Sequence, residues 1–543
     1  MSKAKTESKD SSLVEAIKEA YRFGQEDEEL EPIVVVDSSR KRIGRIQRGD
    51  SVIFYDIRGE REIQITESLT EKDFDKFGVE GDLDLDFVTM IEYASSLAVR
   101  VAFPPEGEVK NTFAEVVTKK GLSLVKVAES EKAIHVGYFM NGKNEKPFPG
   151  EKRILVPSPE GVDSYALTPE MSAAQVTESI ITQLDDPSVH VVVGNLANVD
   201  VLGHIEDKSA VLRAVEVVDQ QFARLVEECR TRGVTVVVTA DHGTVEEWQY
   251  ADGTVNTGHT KNPVPFILAD FRQENPESLD LREHGELSDV APTLLELLGL
   301  EKPIEMTGRS LIESSSISNN ENKKLLFLIL DGWGMNRDTF GNLIEEANTP
   351  NFDRYWIQFP HSILEASGEA VGMPANTVGN SEAGHLHLGA GRRILLDRVR
   401  IDKSIEDGSF FQNPAFRWAM QNAKDKNRAL HLLGIVSFYS SHGTIDHLFA
   451  LLQMAKDLGV REVYVHSLIG RRGERPESGS IYVDKVEKKC QSLSTGRVVT
   501  VMGRFWALDR EENWDRVEKA YRALVLGDGT PAVELFEANN RIN

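Results

Sequence analysis

The 543 residues exceed what one hydrophobic core usually organises, so two domains of a few hundred residues each are expected, and an apolar content of 40% is ample for packed cores. A formal net charge of -25 excludes a general nucleic-acid or anionic-membrane surface, because either partner would be repelled over most of the protein, although an acidic whole still has room for a basic pocket. Cys229 and Cys490, far apart and outside any CxxC pattern, exclude a disulfide framework and a zinc ribbon, and fit a reducing cytoplasm.

The opening MSKAKTESKDSS is polar, mixed in charge and without an apolar h-region, and the longest apolar runs are strand-sized, so a soluble, unexported chain with no membrane partner is expected. Short β-branched runs then recur between helical patterns: Ile33 to Val36, Val52 to Tyr55, Val189 to Val193, Val234 to Thr239, Leu325 to Leu330 and Val463 to His466. That alternation predicts an α/β fold with parallel layers and buried strands. A helix over Val290 to Leu300 ends at Gly299 and is followed by Pro303, the pattern of a closing helix. The next stretch, ESSSISNNENKK at 313–324, has no apolar periodicity and reads as a tether at a domain boundary.

Four acid or histidine clusters stand where strands run out into loops. LILDGWG places Asp331 after one strand, and VVVGNLANVDVLGH places Asp200 and His204 after another. VVVTADHGTVEE places Asp241 and His242 after a third, and NTGHTKNP adds His259. In open α/β sheets the carboxyl ends of the strands converge on one crevice, so these side chains are expected to meet there. Any one of them alone reads as a capping aspartate or a hydrogen-bonded core histidine. Together, three histidines and three aspartates suit borderline divalent ions such as manganese or zinc.

NTVGNSEAGHLHLGAG, from 376 to 391, supplies Ser381 among small residues where a loop enters a helix, a position whose free N–H groups favour phosphate. A serine hydroxyl is a poor nucleophile at neutral pH unless a metal deprotonates it. Arg58 and Arg61 follow the Val52 to Tyr55 strand, Arg504 and Arg510 flank FWALD, and Lys132 adds a point charge. Guanidinium forks match carboxylate and phosphate, the groups of a small phosphorylated acid.

Taken together, LILDGWG, GNSEAGH, NxDxxGH, TADHG and GHTxNPVP resemble the cofactor-independent (2,3-bisphosphoglycerate-independent) phosphoglycerate mutases, relatives of alkaline phosphatase. The resemblance extends to RIDKSIEDGSFFQNPAF, TIDHLFALLQMAKDLGV, VEKAYRALVLGDG, PFPGEKRILVPSP and DVAPTLLELLGL. In that family the LILDGWG and NSEAGH segments open the chain and the DVAPTLLELLGL segment closes it, so the order here resembles a circular permutation. The resemblance implies an alkaline-phosphatase-like three-layer α/β/α domain and a smaller α/β transferase domain. The transferase-like domain is split between 1–104 and 393–543. The phosphatase-like domain covers 105–312 and 325–392, with 313–324 joining the family's original termini. Permutation is tolerated where the joined ends lie on the surface and close together.

The resemblance further implies that Asp200, His204 and His259 hold one divalent ion, and that Asp331, Ser381, Asp241 and His242 hold a second, with manganese favoured over zinc, cobalt or magnesium. Ser381 becomes the phosphorylated nucleophile. His442, Arg504, Arg510, Arg58, Arg61, Lys132 and Arg471 or Arg472 bind the substrate. The implied activity interconverts 2- and 3-phosphoglycerate in a monomer. Two departures stand out: SDGGVHSHIDH in the family is SFYSSHGTIDH here, and DGRDTPP is GRRGERP. His442 survives, an acid becomes Phe438, another becomes Gly473, and positive charge is gained. These changes keep open a related phosphomutase or phosphatase acting on another phosphorylated or phosphonylated acid. A non-catalytic binding protein is disfavoured by the complete set of metal-site residues.

Overall fold

The computed structural model describes residues 11–533, apart from 106, 160, 163, 274, 314–323, 439–441 and 471–476. Most of the expected tether, and Arg471, Arg472, Tyr439 and Gly473, therefore lie outside the described residues. The chain forms two compact units, Met1–Pro105 with Arg400–Asn543, and Glu106–Val399. Each is built on one eight-stranded sheet.

In the first unit the strand order is Thr530–Val533, Ile33–Val36, Arg497–Gly503, Val463–Ile469, Leu430–Ile435, Ser51–Phe54, Asp86–Ile91 and Arg100–Phe103. Only the Ile33–Val36 and Arg497–Gly503 pair is antiparallel. Runs such as IVVV and LHLLGI are buried along their whole length, as strands of a parallel sheet covered on both faces must be.

In the second unit the order is His284–Glu286, His361–Glu365, Val264–Asp270, Thr235–Thr239, Leu325–Leu330, Val191–Leu196, Leu124–Glu129 and Glu151–Val156. The five strands from Thr235–Thr239 to Glu151–Val156 are mutually parallel. Leu325–Leu330 lies between Thr235–Thr239 and Val191–Leu196, and all six of its residues are buried. Removing the Phe327 ring from this fully buried position leaves a cavity. Phe327→Ala is expected to cost about 3–5 kcal/mol in a urea melt followed by circular dichroism, and a loss under about 1 kcal/mol would show that the site collapses.

Element ends moved by a few residues. The strand expected at Val189 to Val193 runs from Val191 to Leu196, because Val189 N–H closes a turn onto Asp186 O, and pairing on both sides carries Gly194 and Asn195 into the sheet. The helix expected to Leu300 spans Val290–Leu297 and turns at Gly299, whose φ of 64° is left-handed. Among the described residues, no helix is long and apolar enough to cross a membrane.

Candidate metal centre and nucleophile

The three central parallel strands of the second unit discharge their carboxyl ends side by side. Asp331 follows Leu325–Leu330 directly, and Asp241 and His242 follow Thr235–Thr239. After Val191–Leu196 the short helix Asn198–Gly203 carries Asp200, and His204 caps its end. Asp200 N–H donates to Asp331 O at 3.1 Å, so the first two turns are tied together. Gly332 has a φ of 83°, and a Cβ there would sit 2.8 Å from the Asp200 backbone nitrogen, which explains the glycine after the aspartate.

Ser381 opens the helix Ser381–Ala390, with Asn380 as its cap accepting from Ala383 N–H at 2.8 Å. The helix is pressed against the Asp241 turn, and a Cβ on Gly384 would lie 2.4 Å from Asp241 O. Ser381 Oγ accepts from Lys132 Nζ at 2.9 Å and lies 2.9 Å from His242 Nε2. The Lys132 ammonium also donates to Asp200 Oδ2 at 2.6 Å and Asp331 Oδ1 at 2.5 Å. His259 Nε2 is 3.1 Å from Asp200 Oδ1, and His204 Nε2 is 3.3 Å from the same oxygen. Backbone carbonyls orient both rings: His204 Nδ1 meets Thr257 O at 2.7 Å and His259 Nδ1 meets Gly379 O at 3.0 Å.

All seven residues expected around the two ions are thus gathered in one place, beside a cleft of ≈ 550 Å³ lined by Lys132, His135, Asp200, His204, His259 and Ser381. Within this cluster, among the described residues, two groups have donor atoms close enough to share an ion: Asp200 with His242 and His259, and Asp241 with Asp331 and His385. His385 was not anticipated. Its Nδ1 is 3.2 Å from Asp241 Oδ2, and Asn195, also unanticipated, donates to Asp331 Oδ2 at 2.8 Å. The signal for His385 was its spacing of four from Ser381, which puts both on one helix face.

The donor set fits divalent cations. Three buried carboxylates meet one ammonium, and carboxylate with imidazole suits manganese or zinc. Burial would depress the Lys132 ammonium, but Asp331, Asp200 and Asp241 hold it above its usual range. Burial would raise Asp200, but Lys132 and His242 hold it well below the usual carboxylate range. Asp331 is raised, by burial first and then by Asp241 and Asp200. A cation at this position relieves that crowding of like charge.

The remaining expected substrate residues fall in the first unit. Arg58 and Arg510 both donate to Glu60 Oε1, at 2.5 and 3.0 Å, Arg504 to Glu28 Oε1 at 2.8 Å, and Arg61 to Leu508 O at 3.2 Å. Arg61 is lowered by burial and by the charges of Arg510, Arg504 and Arg58, so residues far apart in sequence form one crowded cationic patch. Lys132 belongs to the second unit, inside the acid cluster. His442 Nδ1 lies 2.6 Å from Glu62 Oε1, and the Phe438 ring, a departure from the resembled family, is exposed.

Two family models match the chain. Residues 35–302 match the metalloenzyme superfamily. Residues 401–542 match the N-terminal region of BPG-independent phosphoglycerate mutases. The fold is accordingly an α/β metalloenzyme domain of the alkaline phosphatase kind together with a second α/β domain. A 2,3-bisphosphoglycerate-independent phosphoglycerate mutase of Moorella thermoacetica is 42% identical over 303 residues, 56% of this chain and 57% of that protein. Enzymes of the same name from Thermomicrobium roseum and Parasynechococcus marenigrum are 44% and 43% identical, over 56% of this chain and 59% and 56% of theirs. The chain therefore spans a little under three fifths of the length of the curated relatives it matches. A crystal structure of Leishmania mexicana phosphoglycerate mutase at low cobalt concentration is 29% identical, with a TM-score of 0.36 over 52% of this chain and 54% of that one.

Proposed function

We propose that this chain interconverts 2- and 3-phosphoglycerate through a phosphorylated Ser381. The observation that carries the reading is the setting of Ser381, at the first turn of a helix and 2.9 Å from both Lys132 and His242 within the acid and histidine cluster. The relatives bearing the mutase name support the substrate.

In this reading Asp200, His204 and His259 hold one divalent ion, and Asp331, Asp241, His242 and Ser381 hold the other. Two such ions, manganese by preference, would lower the basicity of Ser381 and neutralise charge on the transferring oxygens. Ser381 Oγ bonds to phosphorus as the substrate's ester oxygen leaves, and that oxygen takes up the proton Ser381 gives up. The reverse step places the phosphoryl group on the neighbouring hydroxyl. The helix N-terminus and Lys132 face the phosphoryl oxygens, a fixed electrostatic arrangement that needs no rearrangement during transfer. The arginines around Arg61 would recognise carboxylate or phosphate.

The segment order also belongs to this proposal. A model described as an N-terminal region matches residues 401–542, behind the metalloenzyme match at 35–302, which supports a circular permutation with 313–324 as the junction. The altered loop sequences, SFYSSHGT and GRRGERP, favour a second reading in which the same centre serves another phosphorylated acid.

An enolase-coupled assay of 3-phosphoglycerate with added manganese, run beside a phosphate-release assay, separates the two. Conversion without phosphate release is expected. Phosphate release or serine phosphorylation from another donor, with no conversion, would replace the first reading by the second.

A further inference from the structure

Among the buried ionisable groups of the first unit that the phosphoryl chemistry leaves unused are Asp56 and Glu62. Asp56 follows the strand Ser51–Phe54, Glu62 lies in the first turn of the helix Gly59–Thr70, and His442 precedes the helix Ile445–Leu458. They meet at the carboxyl ends of the adjacent parallel strands Ser51–Phe54 and Leu430–Ile435, where α/β sheets build sites. Their donor atoms lie within 4.8 Å of one another, and none of the three is more than 1% exposed.

Glu62 Oε1 is 2.6 Å from His442 Nδ1, while Glu62 Oε2 accepts from Arg61 N–H at 3.1 Å. Asp56 Oδ1 accepts from Ile435 N–H at 2.7 Å, and its buried Oδ2 accepts no hydrogen bond among the described residues. Two carboxyls this close and this dry cannot both ionise. Burial, then the Glu62 charge, raises Asp56 well above the usual range, and burial raises Glu62 to about 8. Burial lowers His442 to about 4; the Asp56 charge opposes this, and Arg504, Arg58 and Arg61 add to it. The ring is therefore neutral at physiological pH. In a neutral imidazole the partner of one nitrogen decides the role of the other.

We propose that Glu62, backed by Asp56, is a positioning residue for His442: it holds the Nδ1 edge of the ring, so that Nε2 is the nitrogen offered to the phosphorylated acid. That His442 meets such an acid rests on the function proposed above; the fixing of the ring does not.

The test is nitrogen NMR of protein labelled with 15N-histidine, the His442 signals being those lost in His442→Asn. The wild type is expected to show a single neutral tautomer from about pH 5.5 to 7, above the His442 value of about 4 and below the Glu62 value of about 8. Glu62→Ala should show a mixed or averaged pattern, and Glu62→Gln, which keeps a partner for Nδ1, should restore a single one. In the same variants the KM for 3-phosphoglycerate should rise about tenfold or more in Glu62→Ala, with a smaller change in kcat, and recover in part in Glu62→Gln. If Glu62→Ala does not fold, Glu62→Asp, whose shorter arm withdraws from Nδ1, makes the same comparison. An unchanged His442 pattern in Glu62→Ala overturns the proposal. So does the loss of one equivalent of bound metal in that variant, which would make the cluster a cation site. A changed pattern in a protein that converts no phosphoglycerate supports the positioning while removing the mutase reading.

Discussion

Ser381→Ala is expected to lower phosphoglycerate conversion at least about a thousandfold, because no other hydroxyl stands within reach of both Lys132 and His242 among the described contacts. In the proposed reaction the serine gives up its proton and accepts phosphorus, and the alanine variant keeps the surrounding cluster while losing the acceptor atom. Ser381→Cys retains a nucleophile of different size and softness and should recover only a small part of the rate. The measurement is the coupled assay with the metal content of each variant determined in parallel, so that a lost ion is not mistaken for a lost nucleophile. Intact protein mass after quenching gives a second reading: the wild type should carry a fraction of one added phosphoryl group and Ser381→Ala none. Conversion by Ser381→Ala within tenfold of the wild type would show that the phosphoryl group travels without a serine intermediate.

Removal of divalent metal should have a comparably large effect. Asp200, Asp241 and Asp331 are buried within a few ångströms of one another, with Lys132 as the cation that contacts two of them. Chelation followed by desalting is expected to leave less than about 1% of the activity, and manganese to restore most of it. The folded state alone offers the assembled donor set, so bound metal also stabilises it. The gain is about 2.7 kcal/mol when free metal exceeds its Kd a hundredfold, seen as a melting point that climbs with manganese concentration. Asp331→Asn removes a donor charge at the centre of the cluster and should need far more manganese for the same rise. Full activity in protein stripped of metal would end the two-ion reading, and a melting point indifferent to manganese would remove its structural half.

Asp331, Asp241 and His242 could be placed from the sequence because they directly follow strongly apolar runs, whereas His259 lies in a polar loop ahead of Val264–Asp270. Leu325–Leu330 and Thr235–Thr239 are continuous buried strands, and a polar residue directly after such a strand in a parallel sheet has one place to go. Ser381 was legible for a related reason, since a cap-forming Asn380 before small residues marks a helix start. Asn195 was not, because it lies inside Val191–Leu196 and only the pairing of that strand with Leu325–Leu330 turns it toward Asp331. His385 read as part of a phosphate-binding helix start, and its contact with Asp241 depends on how closely that helix packs, which spacing along one chain does not give. Nothing in the local run RGEREIQ marks Glu62. Its burial against His442 comes from two strands that are adjacent in the sheet but almost four hundred residues apart in the chain. The resemblance grouped Arg58, Arg61, Arg504 and Arg510 as substrate residues, and neither it nor the local pattern held a sign that they crowd together.

The place of Leu325–Leu330 in its sheet also bears on how the protein is made. The strands on either side of it, Val191–Leu196 and Thr235–Thr239, leave the ribosome long before it does, and neither can close on the other without shutting it out. At about 5 to 20 residues per second, the nascent chain carries two unpaired edges of largely apolar strands for a time on the order of ten seconds. The first unit has the same history on a longer scale, because Ser51–Phe54 waits for its neighbour Leu430–Ile435. Neither sheet is completed in the order it is synthesised. Yield in the cell should therefore depend on chaperone supply and growth temperature more steeply than the stability of the finished protein would suggest.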